Sequence, residues 1–150
     1  MKNAKELILE TLKTKAILKQ DVFKKTKEVF QGFKVEAEKL TEELSKEMSA
    51  VSKDVTVEFV NKDDYEFHIK FGGDILVFFM HTNVFDFEKS HPMWKTSYLK
   101  DDELRAYCGM INVYNFLADS FKFNRLNDLG YLVGRLFLNK DLHYFVEGKR

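Results

Sequence analysis

The spacing of apolar residues along this chain changes at Asp54. From Leu9 to Val51 they recur three and four apart, the period of one helix face. From Val55 onward they recur every second residue, the period of a strand. A repeat of about 3.5 residues lands on Leu9, Leu12, Ala16, Lys19, Phe23, Thr26, Phe30, Phe33, Ala37, Leu40, Leu44, Glu47 and Val51, of which only Lys19, Thr26 and Glu47 are polar. Residues 1–53 hold no proline and a single glycine, Gly32. The pattern therefore predicts helix for most of residues 4–50. At about 1.5 Å per residue such a helix is about 70 Å long, against about 40 Å for the diameter of a compact domain of this length. Two outcomes fit. Either the arm projects and pairs with a second copy, or it breaks into a helix pair around Lys19-Gln20-Asp21, where the repeat misses and Asp21 can cap. Apolar residues off the repeat (Ile8, Ile17, Leu18, Val22, Val29, Val35, Met48) widen the stripe beyond a coiled-coil seam. That favours packing of at least the second half across the chain's own sheet.

The rest of the chain reads as strands. DVTVEFV (54–60) and YEFHIKF (65–71) alternate, and Asn61-Lys62-Asp63-Asp64 between them is turn chemistry, so they form a hairpin. Gly72-Gly73-Asp74 marks the next turn. ILVFFM (75–80) is apolar on both faces, as a central covered strand is. NVFDFEK (83–89) reads as a fourth strand, and Ser90 to Glu103, with the only proline (Pro92), as a connecting loop containing one helical turn. Ala106 to Leu117 is a long strand with a bulge expected at Gly109. Asp119 to Asp128 is turn-like, with Phe121 and Phe123 holding it to the body. Leu129 to Leu138 and Leu142 to Val146 form a hairpin about Asn139-Lys140-Asp141. The expected fold is a single α+β domain: a helical arm (1–53), one long helix or a helix pair, packed on an antiparallel sheet of six to seven strands (54–150). The mixed architecture is comparable with that of PAS and GAF sensor modules, in topology alone.

Composition narrows the classes of function. A length of 150 residues fits one domain, and formal net charge is zero, so no global field draws the chain to nucleic acid or to a membrane surface. The charge is unevenly spread. Residues 1–34 carry nine Lys against four acids, and residues 54–103 carry eleven acids against five Lys. The arm and the first half of the sheet can therefore attract each other, or steer a partner. The Lys residues lie all around the helix without an Arg cluster, so nucleic acid is not expected as a partner; an adaptor touching nucleic acid is the weaker alternative. No apolar run approaches the roughly 20 residues needed to span a bilayer. The N-terminus opens on Lys2, Lys5 and Glu6 rather than a signal-peptide core. A cytoplasmic location without membrane contact is the expectation. Cys108 is the only cysteine, which excludes an internal disulfide, and its neighbours Tyr107, Met110 and Ile111 predict a buried, inert thiol. Twenty Lys against four Arg, with 15 Phe, has the look of AT-rich coding, which accounts for the phenylalanine count without any functional reading.

Candidate chemistry is sparse. His81, Asp86, Glu88 and His91 offer imidazole and carboxylate ligands within eleven residues. Their strand parity scatters them, so they read as solvated side chains, and no metal or cofactor is expected. Cys108 with a histidine, or Ser90 beside His91, matches no nucleophile signature. Gly72-Gly73-Asp74 lacks the Lys and following helix of a phosphate loop and reads as a turn. Asp128, Glu147 and Lys149, around the strand HYFVEGK, resemble the PD-(D/E)xK nuclease superfamily, in which an Asp and a Glu hold a divalent cation and a Lys orients water. That resemblance covers some 22 residues and implies metal-dependent cleavage. The superfamily continues into a helix and a strand after its Lys, whereas only Arg150 comes after Lys149 in this sequence, and no cleavage is expected. The loop His91-Pro92-Met93-Trp94-Lys95 carries the only tryptophan. Binding through His91, Met93, Trp94 and Lys95 competes there with a loop pinned to the core by Trp94. The function expected is a non-catalytic interaction or ligand-sensing module. It would be a homodimer through Phe23, Phe30, Phe33 and Leu40, with a protein or small-molecule partner; the divalent-metal nuclease is the alternative.

Overall fold

The structure, a computed structural model, describes residues 1–125 and 129–148. The arm is continuous. Asn3 opens it with a reciprocal cap: its Oδ1 accepts from Glu6 N at 2.9 Å while its own N–H donates to the Glu6 carboxylate at 3.2 Å. α1 (Ala4–Thr11) passes through one π turn (Leu12–Ala16) into α2 (Ile17–Ser49). Thr11, Leu12, Ala16 and Ile17 all keep right-handed helical angles across the junctions. Of the two outcomes the single long helix is the one formed: there is no break around Lys19-Gln20-Asp21, and Asp21 pairs with Lys25 one turn on, at 3.1 Å, rather than capping a new helix. The irregularity falls earlier, where the Ile17 N–H reaches back to the Leu12 carbonyl.

What α2 buries departs from the 3.5-residue seam and shares with it only Thr26 and Phe30 among the buried residues. Leu18, Val22, Thr26, Phe30 and Lys34, each four apart, and then Thr41 are the buried residues. Rows of side chains four apart run oblique to the helix axis, and such a row suits a helix crossing a twisted sheet diagonally. A 3.5-residue seam suits another helix. Phe30 is fully buried against Phe67, ring centroids 5.3 Å apart, in a core that includes Ile69, Met80, Ile111 and Leu138. Lys34 is buried and donates to Asn61 Oδ1 at 3.0 Å and to the Asp63 carbonyl. Lys27 lies 3.9 Å from Asp64. The basic face of the helix thus meets the acidic turn around Asp63 and Asp64 within one chain.

Among the described residues the sheet has seven antiparallel strands: β1 (Val57–Asp63), β2 (Glu66–Phe71), β3 (Asp74–Met80), β4 (Phe85–Asp86), β5 (Tyr107–Leu117), β6 (Tyr131–Leu138) and β7 (Tyr144–Gly148). Six run in the order β1-β2-β3-β5-β6-β7, and β4 pairs with the start of β5. β1 starts and ends later than the alternation indicated, and absorbs Asn61 to Asp63 through a register shift. β4 keeps only two residues of the expected seven. The crossover between β4 and β5 is more ordered than expected. It holds a 3₁₀ turn (Pro92–Lys95), α3 (Ser97–Asp101) and a second 3₁₀ turn (Glu103–Ala106). A further short helix, α4 (Ala118–Lys122), follows β5.

Gly109 makes no bulge in β5; the register shift lies in β6, opposite Val113 and Tyr114. Its role is close approach. A Cβ built on Gly109 would stand 2.1 Å from Thr26 Oγ1 and 2.8 Å from Thr26 Cβ, so α2 rests directly on the β5 backbone there. Thr26 turns its hydroxyl back to the Val22 carbonyl at 2.8 Å, which leaves no unpaired donor at the contact.

Candidate binding site on the loop face

The sheet face opposite α2 is covered by the crossover beside β5, β6 and β7, and by α4 beside β2, where Phe121 lies 5.5 Å from His68. Along β5 this face carries Cys108, Met110 and Asn112, and in register with Met110 it carries Phe137 of β6, itself opposite Phe145 of β7. The crossover is laid down by side-chain caps. His91 Nδ1 accepts from Met93 N at 3.1 Å, so its proton is on Nε2, which points at Glu147 Oε1, 3.3 Å away. The imidazole stacks on Phe87 at 4.5 Å and meets Phe145 edge-on at 5.9 Å. Thr96 accepts from Leu99 N and donates to the Met93 carbonyl, starting α3 and burying Leu99 almost completely.

Beneath this cover lies a cavity of about 290 Å³. Its apolar wall is Phe87, Met93, Leu99, Cys108, Phe137 and Phe145, and its polar side is Tyr98, Arg105, Asn139 and His143. Asn139, 4% exposed, organises that side. Its Oδ1 accepts from Asp141 N (3.0 Å) and His143 N (3.1 Å), while its Nδ2 donates to Tyr98 Oη (2.9 Å) and the Arg105 carbonyl (3.3 Å). Arg105 lies over the Tyr98 ring at 4.3 Å and donates to Asp141 (3.2 Å) and to the Tyr98 carbonyl (3.0 Å). Lys140 pairs with Asp102, and this hydrogen bond holds the Asp102 carboxyl below its ordinary range. Burial pushes the Cys108 thiol up to about 12, so it is protonated at neutral pH and is no nucleophile. With Asn139 and Arg105 engaged by the protein itself, the cavity offers shape and aromatic surface rather than charge. It can hold a small apolar or aromatic group.

The residues singled out in the sequence fall on several places. Met93 lines the cavity. Trp94 does not: its Nε1 donates to the Phe87 carbonyl at 2.9 Å and Lys89 Nζ lies 3.7 Å from its ring centroid, so it ties the loop down. His91 braces the loop against Glu147, and Lys95 ends the 3₁₀ turn. Of the nuclease set, Asp128 and Lys149 lie outside the described residues, and Glu147 faces His91. His81 accepts from Asn83 N and meets Phe85 edge-on at 4.8 Å, while Asp86 and Glu88 are exposed. Among the described residues no three His, Cys, Asp or Glu side chains converge on a possible metal position. Gly72-Gly73 is the β2–β3 turn, with Gly72 at φ +56°. Of the dimer set, Phe30 is fully buried and Phe23 packs at 6.2 Å from Tyr65, so both serve the chain's own core; Phe33 and Leu40 stay exposed. The reading from sequence missed Arg105 and Asn139. The Asn-x-Asp order of 139–141, an Asn able to bond its own following backbone, was the available signal.

No helix among the described residues is long and apolar enough to cross a membrane. Neither a known protein family, nor a curated protein, nor a solved structure matches this chain.

Proposed function

We propose that the protein is a non-catalytic interaction module that self-associates through its helical arm. One observation carries this reading: residues 1–17 are all exposed, although they include Leu7, Ile8, Leu9, Leu12 and Ile17, each between 48% and 62% exposed. Leaving such side chains in water forgoes about 25 cal/mol per Å² of apolar surface. A helical extension of this length is also marginal without tertiary cover. Light scattering of the full chain at tens of micromolar tests it. A dimer is expected, and Ile8→Glu with Leu12→Glu should return a monomer with an unchanged melting temperature at low concentration. A clean monomer of the unaltered chain overturns the reading.

The loop-face cavity supports a second reading, capture of a small neutral aromatic ligand. Indole titrated into the labelled protein should shift the resonances of Leu99 and Met93 before any others. Shifts scattered over the surface would remove that reading. The nuclease alternative draws least support, because Glu147 is engaged by His91.

A further inference from the structure

We infer that two copies pair about a two-fold axis with their helices antiparallel, the arm of each lying along the second half of α2 of the other. This rests on the self-association reading and adds to it the partner surface and the direction. Residues 18–30 of α2 are seated on the chain's own sheet, with Leu18, Val22, Thr26 and Phe30 buried. Beyond them the helix has two stretches with exposed apolar side chains. One is the arm to Ile17; the other is residues 33–47, where Phe33, Val35 and Leu40 are exposed although Lys34 and Thr41 are buried. Each is about 20 Å long at about 1.5 Å per residue, so either can cover the other end to end.

Charge selects the pairing. Residues 1–17 carry Lys2, Lys5, Lys13 and Lys15 against Glu6 and Glu10, a surplus of two positive charges. Residues 33–47 carry Glu36, Glu38, Glu42, Glu43 and Glu47 against Lys34, Lys39 and Lys46, a surplus of two negative charges. Internal pairs leave most of this charge uncompensated: Lys2 reaches Glu10 at 2.6 Å, and Lys39 lies 3.8 Å from Glu36. Arm against arm would set like charges side by side, as would second half against second half. Arm against second half sets opposite charges together around the apolar contact. A two-fold axis makes that contact twice and closes the assembly, whereas a head-to-tail arrangement would leave one arm uncovered and keep growing.

Cross-linking of the full chain decides the direction. Cys108 can stay in place, since it is buried. Leu12→Cys and Leu40→Cys chains, made with different mass tags, are mixed and treated with a short bismaleimide. Adducts joining the two variants are expected, with little adduct when either is treated alone. Leu9→Cys mixed with Glu43→Cys repeats the test about one turn further along each helix should the first pair weaken the dimer. Raising the salt from about 50 to about 500 mM shortens the screening length several-fold and should weaken the dimer several-fold. Self-adducts of Leu12→Cys would mean arm on arm and overturn the inference. So would a dimer that cross-links through neither pair, although the self-association reading would stand. A monomer would remove both.

Discussion

At Gly109 there is no room for a side chain, because Thr26 of α2 occupies the place a Cβ would take. Gly109→Ala should therefore cost about 1–3 kcal/mol as overpacking. The loss should couple to Thr26. Thr26→Gly removes the colliding atoms at a helix-propensity cost of about 0.3 kcal/mol relative to Thr, so the double variant should be more stable than the two losses added together. Urea unfolding of the four species measures the coupling, and strict additivity would mean the contact is not what constrains the site. Sequence spacing drew attention to Gly109 but gave the wrong reason for it. A glycine inside a strand signals either a bulge or a close approach, and only the helix above decides between them. Cys108 was readable in advance, since the side chains around it are apolar. With its pKa raised to about 12, the thiol should resist a disulfide reagent at pH 8 in the native protein and react at once in strong denaturant. Rapid native labelling would show that the strand end opens.

Elements were legible wherever one face dominates their surroundings. The helix and the hairpins β1–β2 and β6–β7 follow from period alone. The crossover does not, because its order comes from single side chains: His91 and Thr96 as caps, Trp94 as a tie to Phe87, Asn139 as a bracket to the opposite turn. None of these leaves a periodic trace. Trp94→Ala should therefore act on stability, lowering it by about 1–3 kcal/mol through lost packing and a lost hydrogen bond. Trp94→Phe should recover much of the packing. A melting temperature unmoved by Trp94→Ala would return Trp94 to the status of a free binding residue. The bracket also has an acid dependence. Lys140 holds the Asp102 carboxyl below its ordinary value of 3.8, so the folded state takes up that proton less readily than the unfolded chain. The resulting stability is fully present above the unfolded pKa and is lost as pH falls through the lower folded value. Lys140→Met should flatten this part of the acid limb in urea midpoints followed from about pH 6 to pH 2, while leaving its shape at neutral pH unchanged. An acid limb identical in both proteins would mean the pair is not maintained in solution.

On the scale of the whole molecule, the overlong helix poses one energetic question: how much the first 17 residues contribute to the fold. The sheet and α2 from Leu18 onward close a core of Phe30, Phe67, Ile69, Met80, Ile111 and Leu138, and α1 contributes no buried residue to it. Both halves of the helix carry an apolar stripe, and nothing in its period says which half the sheet is wide enough to cover. The structure places the division at Ile17–Leu18. Two regimes of local stability should then exist in one continuous helix. Backbone amides of residues 18–34 should exchange only with global unfolding. Those of residues 5–16 should exchange orders of magnitude faster in dilute protein, where only the Asn3 cap and local helical bonds oppose fraying. If the arm is covered by a second copy, its protection must rise with protein concentration while that of residues 18–34 stays fixed, because mass action stabilises only what association buries. Hydrogen exchange at two concentrations spanning the dimer's dissociation range measures both at once. Arm amides as slow as the core ones at the lowest concentration would mean that the arm belongs to the cooperative unit, and the division at Ile17 would be wrong. Arm amides fast and equal at both concentrations would mean that nothing in solution covers the arm.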